Sequence, residues 1–250
     1  MYDCLIKYYK IDDAAFDLNK LKEQILNLYK ETDVDYYNEH LRIDYDSIVG
    51  SGLLYALANY NSVSGRQFEP ALQQIANHLV SNTDIAENAA NYDFDAKIAY
   101  IHLKILQARS LIYYYDLTKN TTFLVRSNKI LDNLFSYAFY NFSDAYMNAK
   151  YLRAICEIKQ RDASFGQHFE IIKDFVLQHQ LIDGGFRRKL IYDVPTPYTT
   201  YQVVMALDAC YQFNKDSNVK NRLIEAMNYL LKDFDWKNGG IISVFKSRNL

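Results

Sequence analysis

Turn-forming residues are scarce in this chain. Its 250 residues include only 8 Gly and 3 Pro, which is too few for a β-sandwich or barrel that needs a turn every ten residues or so. Charge of one sign is also lacking, with 28 Lys and Arg against 30 Asp and Glu. That near balance excludes the basic footprint of a nucleic-acid binder, so no nucleic-acid partner is expected. No apolar run approaches the roughly 20 residues of a membrane span, so no transmembrane segment is expected. Cysteine occurs three times, at Cys4, Cys156 and Cys210. The odd count and wide spacing indicate neither a disulfide framework nor a structural zinc site, and suit a cytoplasmic protein. Charges interrupt the first ten residues, Met1 to Lys10, so they do not read as a signal peptide.

What the chain has instead is apolar helix and tyrosine. The composition is 50% hydrophobic, with 23 Tyr and 14 Phe against a single Trp. Tyrosine couples an apolar ring to a hydrogen-bonding tip, which suits wide helix seams or the wall of a mixed cavity. Residues 15–30 place Phe16, Leu18, Leu21, Ile25, Leu28 and Tyr29 near helical spacing, with a polar remainder. Residues 47–60 carry no charge at all, which predicts a helix buried on every side. Residues 67–81 return to the one-sided pattern. The alternation continues with apolar segments at 95–115, 144–158 and 198–213, and amphipathic ones at 121–137, 165–180 and 218–232.

The acids that open these units, Asp46, Asp95, Asp144 and Asp193, are spaced by 49 residues each time. Leu54, Leu103 and Leu152 keep the same interval, as do Leu57, Leu106 and Ile155. A fixed period in this range predicts stacked supersecondary units with one continuous core. Charge-poor helices alternating with amphipathic ones predict an inner ring backed by an outer one. The expectation is an all-α chain folded as an α/α toroid, closed or incomplete. It would comprise about five helical hairpins in a single domain over 1–250, with 1–43 an outer helix and link and 44–250 the hairpin repeats.

Residues 178–186, Gln-His-Gln-Leu-Ile-Asp-Gly-Gly-Phe, carry a resemblance. Gln178, Gly184 and Phe186 resemble the Q-x5-G-x-W repeat of the terpenoid cyclase and protein prenyltransferase superfamily, with Phe replacing Trp. Tyr198 to Leu207 is similar to the inner-helix sequence of that superfamily, and Trp236 to Ile241 is a poorer copy of the turn. The resemblance implies an α/α toroid with an aromatic-lined cavity for an apolar or isoprenoid molecule. The superfamily's Asp-x-Asp-Asp acid motif is absent. Asp208-Ala-Cys210 has the zinc-ligand spacing, but no His follows it, and zinc would have to borrow His102, His168 or His179. No metal and no cofactor are expected.

In a toroid the N-terminal ends of the inner helices face one mouth of the cavity. Asp46, Asp95, Asp144 and Asp193 are therefore the candidate acid–base residues, since acids crowded in a partly apolar cavity can hold a proton. Tyr45, Phe94, Tyr146, Tyr192, Tyr198 and Tyr201 would line the mouth. Arg187 and Arg188, beside Lys189, would take an anionic group, because guanidinium forks match its oxygens. The competing account is that the acids only cap helices. His102, inside a buried helix, reads as a hydrogen-bonded core histidine. Three functions stay open, namely a terpenoid-handling protein, a carbohydrate-active hydrolase, lyase or epimerase, and a non-catalytic binding or assembly module.

Overall fold

The computed structural model describes residues 73, 76, 77, 80, 94–141, 144–232, 234, 235, 240 and 241, and within this set only the backbone at 94–99, 136–141, 234, 235, 240 and 241. Tyr45, Asp46 and the 15–30 and 47–60 segments lie outside the described residues. Among the described residues six full helices run in order: α1 Phe94–Thr118, α2 Thr121–Asn141, α3 Ala145–Lys159, α4 Phe169–Leu177, α5 Pro197–Asn214 and α6 Ser217–Lys232. Among the described residues after α6, β1 Phe234–Asp235 and β2 Gly240–Ile241 form a short antiparallel pair. The described part is thus all-α in character, as the scarcity of turn residues predicts.

Scarce glycine shows in how the helices end. Lys119 after α1 and Lys215 after α5 take the left-handed conformation, with φ of 58° and 55°, a role that glycine usually fills at lower cost. The next helices are then capped by side chains. Asn120 Oδ1 accepts from Thr122 N at 3.0 Å, and Asp216 Oδ1 from Asn218 N at 2.8 Å. Thr196 caps α5, and Pro197 occupies its first turn, where a missing N–H costs nothing.

Helices α1, α3 and α5 lie side by side, with α3 in the middle; α2 backs α1, α4 backs α3, and α6 backs α5. Cross-helix partners recur at near-constant separations: His102 with Lys150, Arg109 with Glu157 and Gln160 with Ala209 are 48, 48 and 49 residues apart. Such pairs at successive levels mean that the three helices run in the same direction. The middle helix is almost wholly enclosed, with Ala145 to Ala149, Tyr151, Leu152 and Ala154 to Ile158 all buried. Tyr151 reaches through this layer and donates its hydroxyl to Leu131 O at 2.7 Å.

Cys156 of α3 and Cys210 of α5 form a disulfide, with Cα atoms 5.0 Å apart. This corrects the expectation of unpaired cysteines. The two residues are 54 apart in sequence, and only the packing of α3 on α5 brings them together. The inference of a reducing compartment, drawn from unpaired cysteines, loses its basis.

The Gly184-Gly185-Phe186 turn joins α4 to the loop that leads into α5. Gln180 and Phe186 form an isolated antiparallel bridge, and Leu181 N donates to Gly185 O at 2.8 Å. Gly184 has a φ of +88°, and a Cβ there would run into the backbone carbonyl of Glu225 in α6, so glycine is required twice over. Phe186 is fully buried. The amide that ties this turn to α6 belongs to Gln180 rather than Gln178. Its Nε2 donates to Arg222 O at 3.0 Å, and its Oε1 accepts from Arg222 Nη1 at 3.1 Å. Gln178 is the exposed C-cap of α4.

Candidate functional site

The N-terminal end of α3 is where sequence-predicted residues come together. Asp144 is the N-cap: its Oδ1 accepts from Tyr146 N at 2.8 Å and Met147 N at 3.3 Å. Its other oxygen, Oδ2, accepts from Arg188 Nε at 2.5 Å. The Arg188 backbone closes the same joint, accepting from Ala145 N at 2.8 Å. Capping and ion pairing together occupy this carboxylate, which is 6% exposed. Tyr146 stacks on Tyr198 with ring centroids 4.8 Å apart, and the two hydroxyls share a hydrogen bond of 2.8 Å. Burial, then that bond, drives the Tyr146 hydroxyl pKa upward, so it stays protonated.

Other expected residues are placed differently. Asp95 lies in the first turn of α1, which begins at Phe94. Asp193 is 96% exposed and 3.6 Å from Arg187 Nη1, so it stands away from Asp144 on the loop before α5. Tyr192 is exposed on that loop, and Tyr201 is half-buried in α5. The loop thus delivers Arg188 to the end of α3 but leaves Asp193 in solvent.

Further along the α1–α3 seam lies a cavity of about 290 Å³, lined by His102, Leu103, Ile105, Leu106, Arg109, Lys150, Arg153 and Gln202. Its volume stands at the lower edge of the range of about 300–1,000 Å³ usual for small-molecule sites. Among the described lining residues four are basic and none is acidic. Two of the lining arginines hold Glu157: Arg109 Nε and Nη2 grip its two oxygens at 2.7 and 2.9 Å, and Arg153 Nε adds a bond of 3.0 Å. Burial opposes charge on Glu157, but Arg109 and then Arg153 outweigh it and hold its pKa below the usual range. Among the described residues, Glu157 thus faces two arginines of the cavity wall.

Lys150 reaches across the seam, with Nζ 3.0 Å from His102 Nδ1 and 4.5 Å from the centroid of the Tyr146 ring. It therefore links the cavity to the Tyr146–Tyr198 mouth. Burial, aided by the Arg109 charge, lowers its pKa to about 8. Burial and then Lys150 lower that of His102 to about 4. The imidazole is accordingly neutral at pH 7 and accepts at Nδ1 from the ammonium. His102 is thus part of a polar cavity wall as well as a hydrogen-bonded helix residue. Lys150, Arg109, Arg153 and Gln202 were not singled out from the sequence. For Lys150 and Arg153 the signal was present: with Glu157 they are charges at i, i+3 and i+7 on one face of an otherwise apolar α3.

Among the described residues no group of three or more His, Cys, Asp or Glu could hold a metal ion, and no helix is long and apolar enough to cross a membrane. Chemically, the arrangement offers a neutral imidazole, an amine that deprotonates near physiological pH, and two charge-sharing guanidiniums beside an aliphatic wall. Comparison with family models, curated proteins and solved structures returned no significant match.

Proposed function

We propose that this chain binds a small anionic molecule in the α1–α3 seam of an α/α-toroid array built from hairpins of about 49 residues. The observation that carries the reading is the cavity itself, with His102, Arg109, Lys150 and Arg153 facing Leu103, Ile105 and Leu106 and no acid among the described residues of the wall. Guanidinium and ammonium groups suit phosphate or carboxylate oxygens, and the aliphatic side suits an apolar portion. A phosphorylated isoprenoid combines both features and agrees with the terpenoid cyclase and prenyltransferase resemblance of residues 178–207. In this reading Asp144 and Arg188 hold the mouth in shape, and catalysis by an acid ring is not invoked.

A second reading, a sugar acid as ligand, is favoured by the Tyr146–Tyr198 stack beside Lys150, since tyrosine faces also pack against sugar rings. Titration calorimetry separates the two. Inorganic diphosphate and farnesyl diphosphate should bind the wild type, and Lys150→Gln should weaken both at least tenfold. Farnesol and glucuronate should bind weakly or not at all; tighter glucuronate binding would favour the sugar-acid reading. Absence of binding by every anion would sink both.

A further inference from the structure

We propose that Lys150 is a covalent site, its Nζ forming an imine with the carbonyl carbon of a small anionic carbonyl compound such as a 2-oxo acid held in the α1–α3 cavity. The inference rests on the anion-binding reading above and adds a reaction to it.

The geometry begins with what Lys150 does not touch. A half-buried lysine on a helix seam ordinarily pairs with a carboxylate. Here the nearby carboxylates among the described residues are engaged by arginines, Asp144 by Arg188 and Glu157 by Arg109 and Arg153. The Lys150 nitrogen points instead at His102 Nδ1 at 3.0 Å and lies in the wall of the cavity. One side of the amine is thus fixed by an acceptor, another packs on the Tyr146 ring, and the remainder lies in the cavity wall where a ligand can reach it. The groups facing it are His102 and Arg109 from α1, Tyr146, Arg153 and the Asp144–Arg188 pair at its own helix, and Tyr198 and Gln202 from α5. Of these, burial and Arg109 act most strongly on the amine and favour its neutral form, the state that has a lone pair to give.

The step balances without an outside reagent. The neutral Nζ lone pair attacks the carbonyl carbon, the carbonyl π pair moves to oxygen, and a proton passes from nitrogen to that oxygen through solvent at the mouth. The carbinolamine then loses its hydroxyl as water while the remaining nitrogen pair forms the C=N bond, so amine and carbonyl become imine and water. His102 orients the nitrogen throughout, and the guanidinium of Arg153, which gives only its Nε to Glu157, takes the ligand's carboxylate.

The test is reductive trapping of the whole chain with glyoxylate and cyanoborohydride, followed by peptide mass mapping. Expected is one carboxymethyl adduct at Lys150 at low glyoxylate, forming at least tenfold faster than at any other lysine, with a rate that rises with pH and levels off above about pH 8. Lys150→Arg should abolish the adduct. His102→Gln, which retains a hydrogen-bonding side chain, should slow trapping and move the pH profile. Labelling spread over exposed lysines such as Lys119 and Lys220, or no preference for Lys150, would overturn the proposal. Inorganic diphosphate as competitor separates the two claims. Protection of Lys150 supports the anion site, whereas selective labelling without protection keeps the reactive amine and refutes the anion site.

Discussion

Helix α3 presents two unlike seams to its two neighbours. Toward α5 the contact is broad and apolar, closed by the Cys156–Cys210 bond and the Gln160 to Ala209 hydrogen bond of 2.7 Å. Toward α1 the contact is narrower and built of polar rungs, His102 with Lys150, Arg109 with Glu157 and Asp116 with Arg161. A tightly packed apolar seam leaves no room for a ligand, because large side chains interdigitate to crystal-like density. A seam of charged rungs holds its helices apart at the length of the side chains, and the cavity sits between two of those rungs. The difference teaches where to look in a helical stack of this kind, namely at the seam whose middle helix carries charges on a face that could have been apolar.

Three experiments would break or sharpen that contrast. The largest effect is expected from Glu157→Gln, which leaves Arg109 and Arg153 facing each other in a buried site. Removing one partner of a buried ion cluster costs about 4 kcal/mol, so denaturant unfolding should show a lower midpoint at unchanged m-value. A neutral result would mean that charge does not hold the α1–α3 seam. The next is reduction. Opening the Cys156–Cys210 bond, or replacing both residues by serine, should cost about 3 kcal/mol through a freer unfolded chain and lower the melting temperature. The smallest concerns pH. The folded pKa of His102 lies near 4, below its unfolded value of about 6.5. Its contribution is therefore fully present above pH 6.5 and is lost as pH falls toward 4. The loss is on the order of 1–2 kcal/mol. Calorimetric scans at pH 7 and pH 5 should show His102→Gln with a smaller difference than wild type. Part of the difference should survive, because burial also lowers the pKa of His179. An unchanged difference would place the acid sensitivity elsewhere.

The helices themselves were legible. Apolar periodicity places segments at 95–115, 121–137, 144–158, 165–180, 198–213 and 218–232, and each corresponds to one of α1 to α6, although α4 is shorter than its segment and spans only Phe169–Leu177. Asp144 as a cap was legible too, because a short acid before an apolar run satisfies exposed amides. Much less of the candidate site could be read. Lys150 and His102 are 48 residues apart and meet only because α1 and α3 share a direction and a level. The Cys156–Cys210 pairing depends in the same way on the register of α3 against α5. Sequence spacing within a helix shows which residues share a face, but not which face will meet which neighbour. The Gln180 tether illustrates a finer limit. Two glutamines, two residues apart, both precede the glycine turn, and the bridge between Gln180 and Phe186 decides which one reaches α6.

The joint between the Gly184 turn and α6 has a consequence for how this chain tolerates change. Gly184 lies against the Glu225 main chain, and Gln180 fastens onto the Arg222 carbonyl. Because main-chain atoms are the same whatever residue carries them, the side chain at position 225 can vary widely without moving the joint, and a change at Arg222 removes from it only the Nη1 bond to Gln180 Oε1 while the bond to the Arg222 carbonyl stays. The two glycines have no such latitude. Any side chain at Gly184 meets the Glu225 backbone, and one at Gly185 meets Pro195 and Tyr229. Mutational robustness in this region is therefore concentrated on the helix, and fragility is confined to a two-residue hinge point.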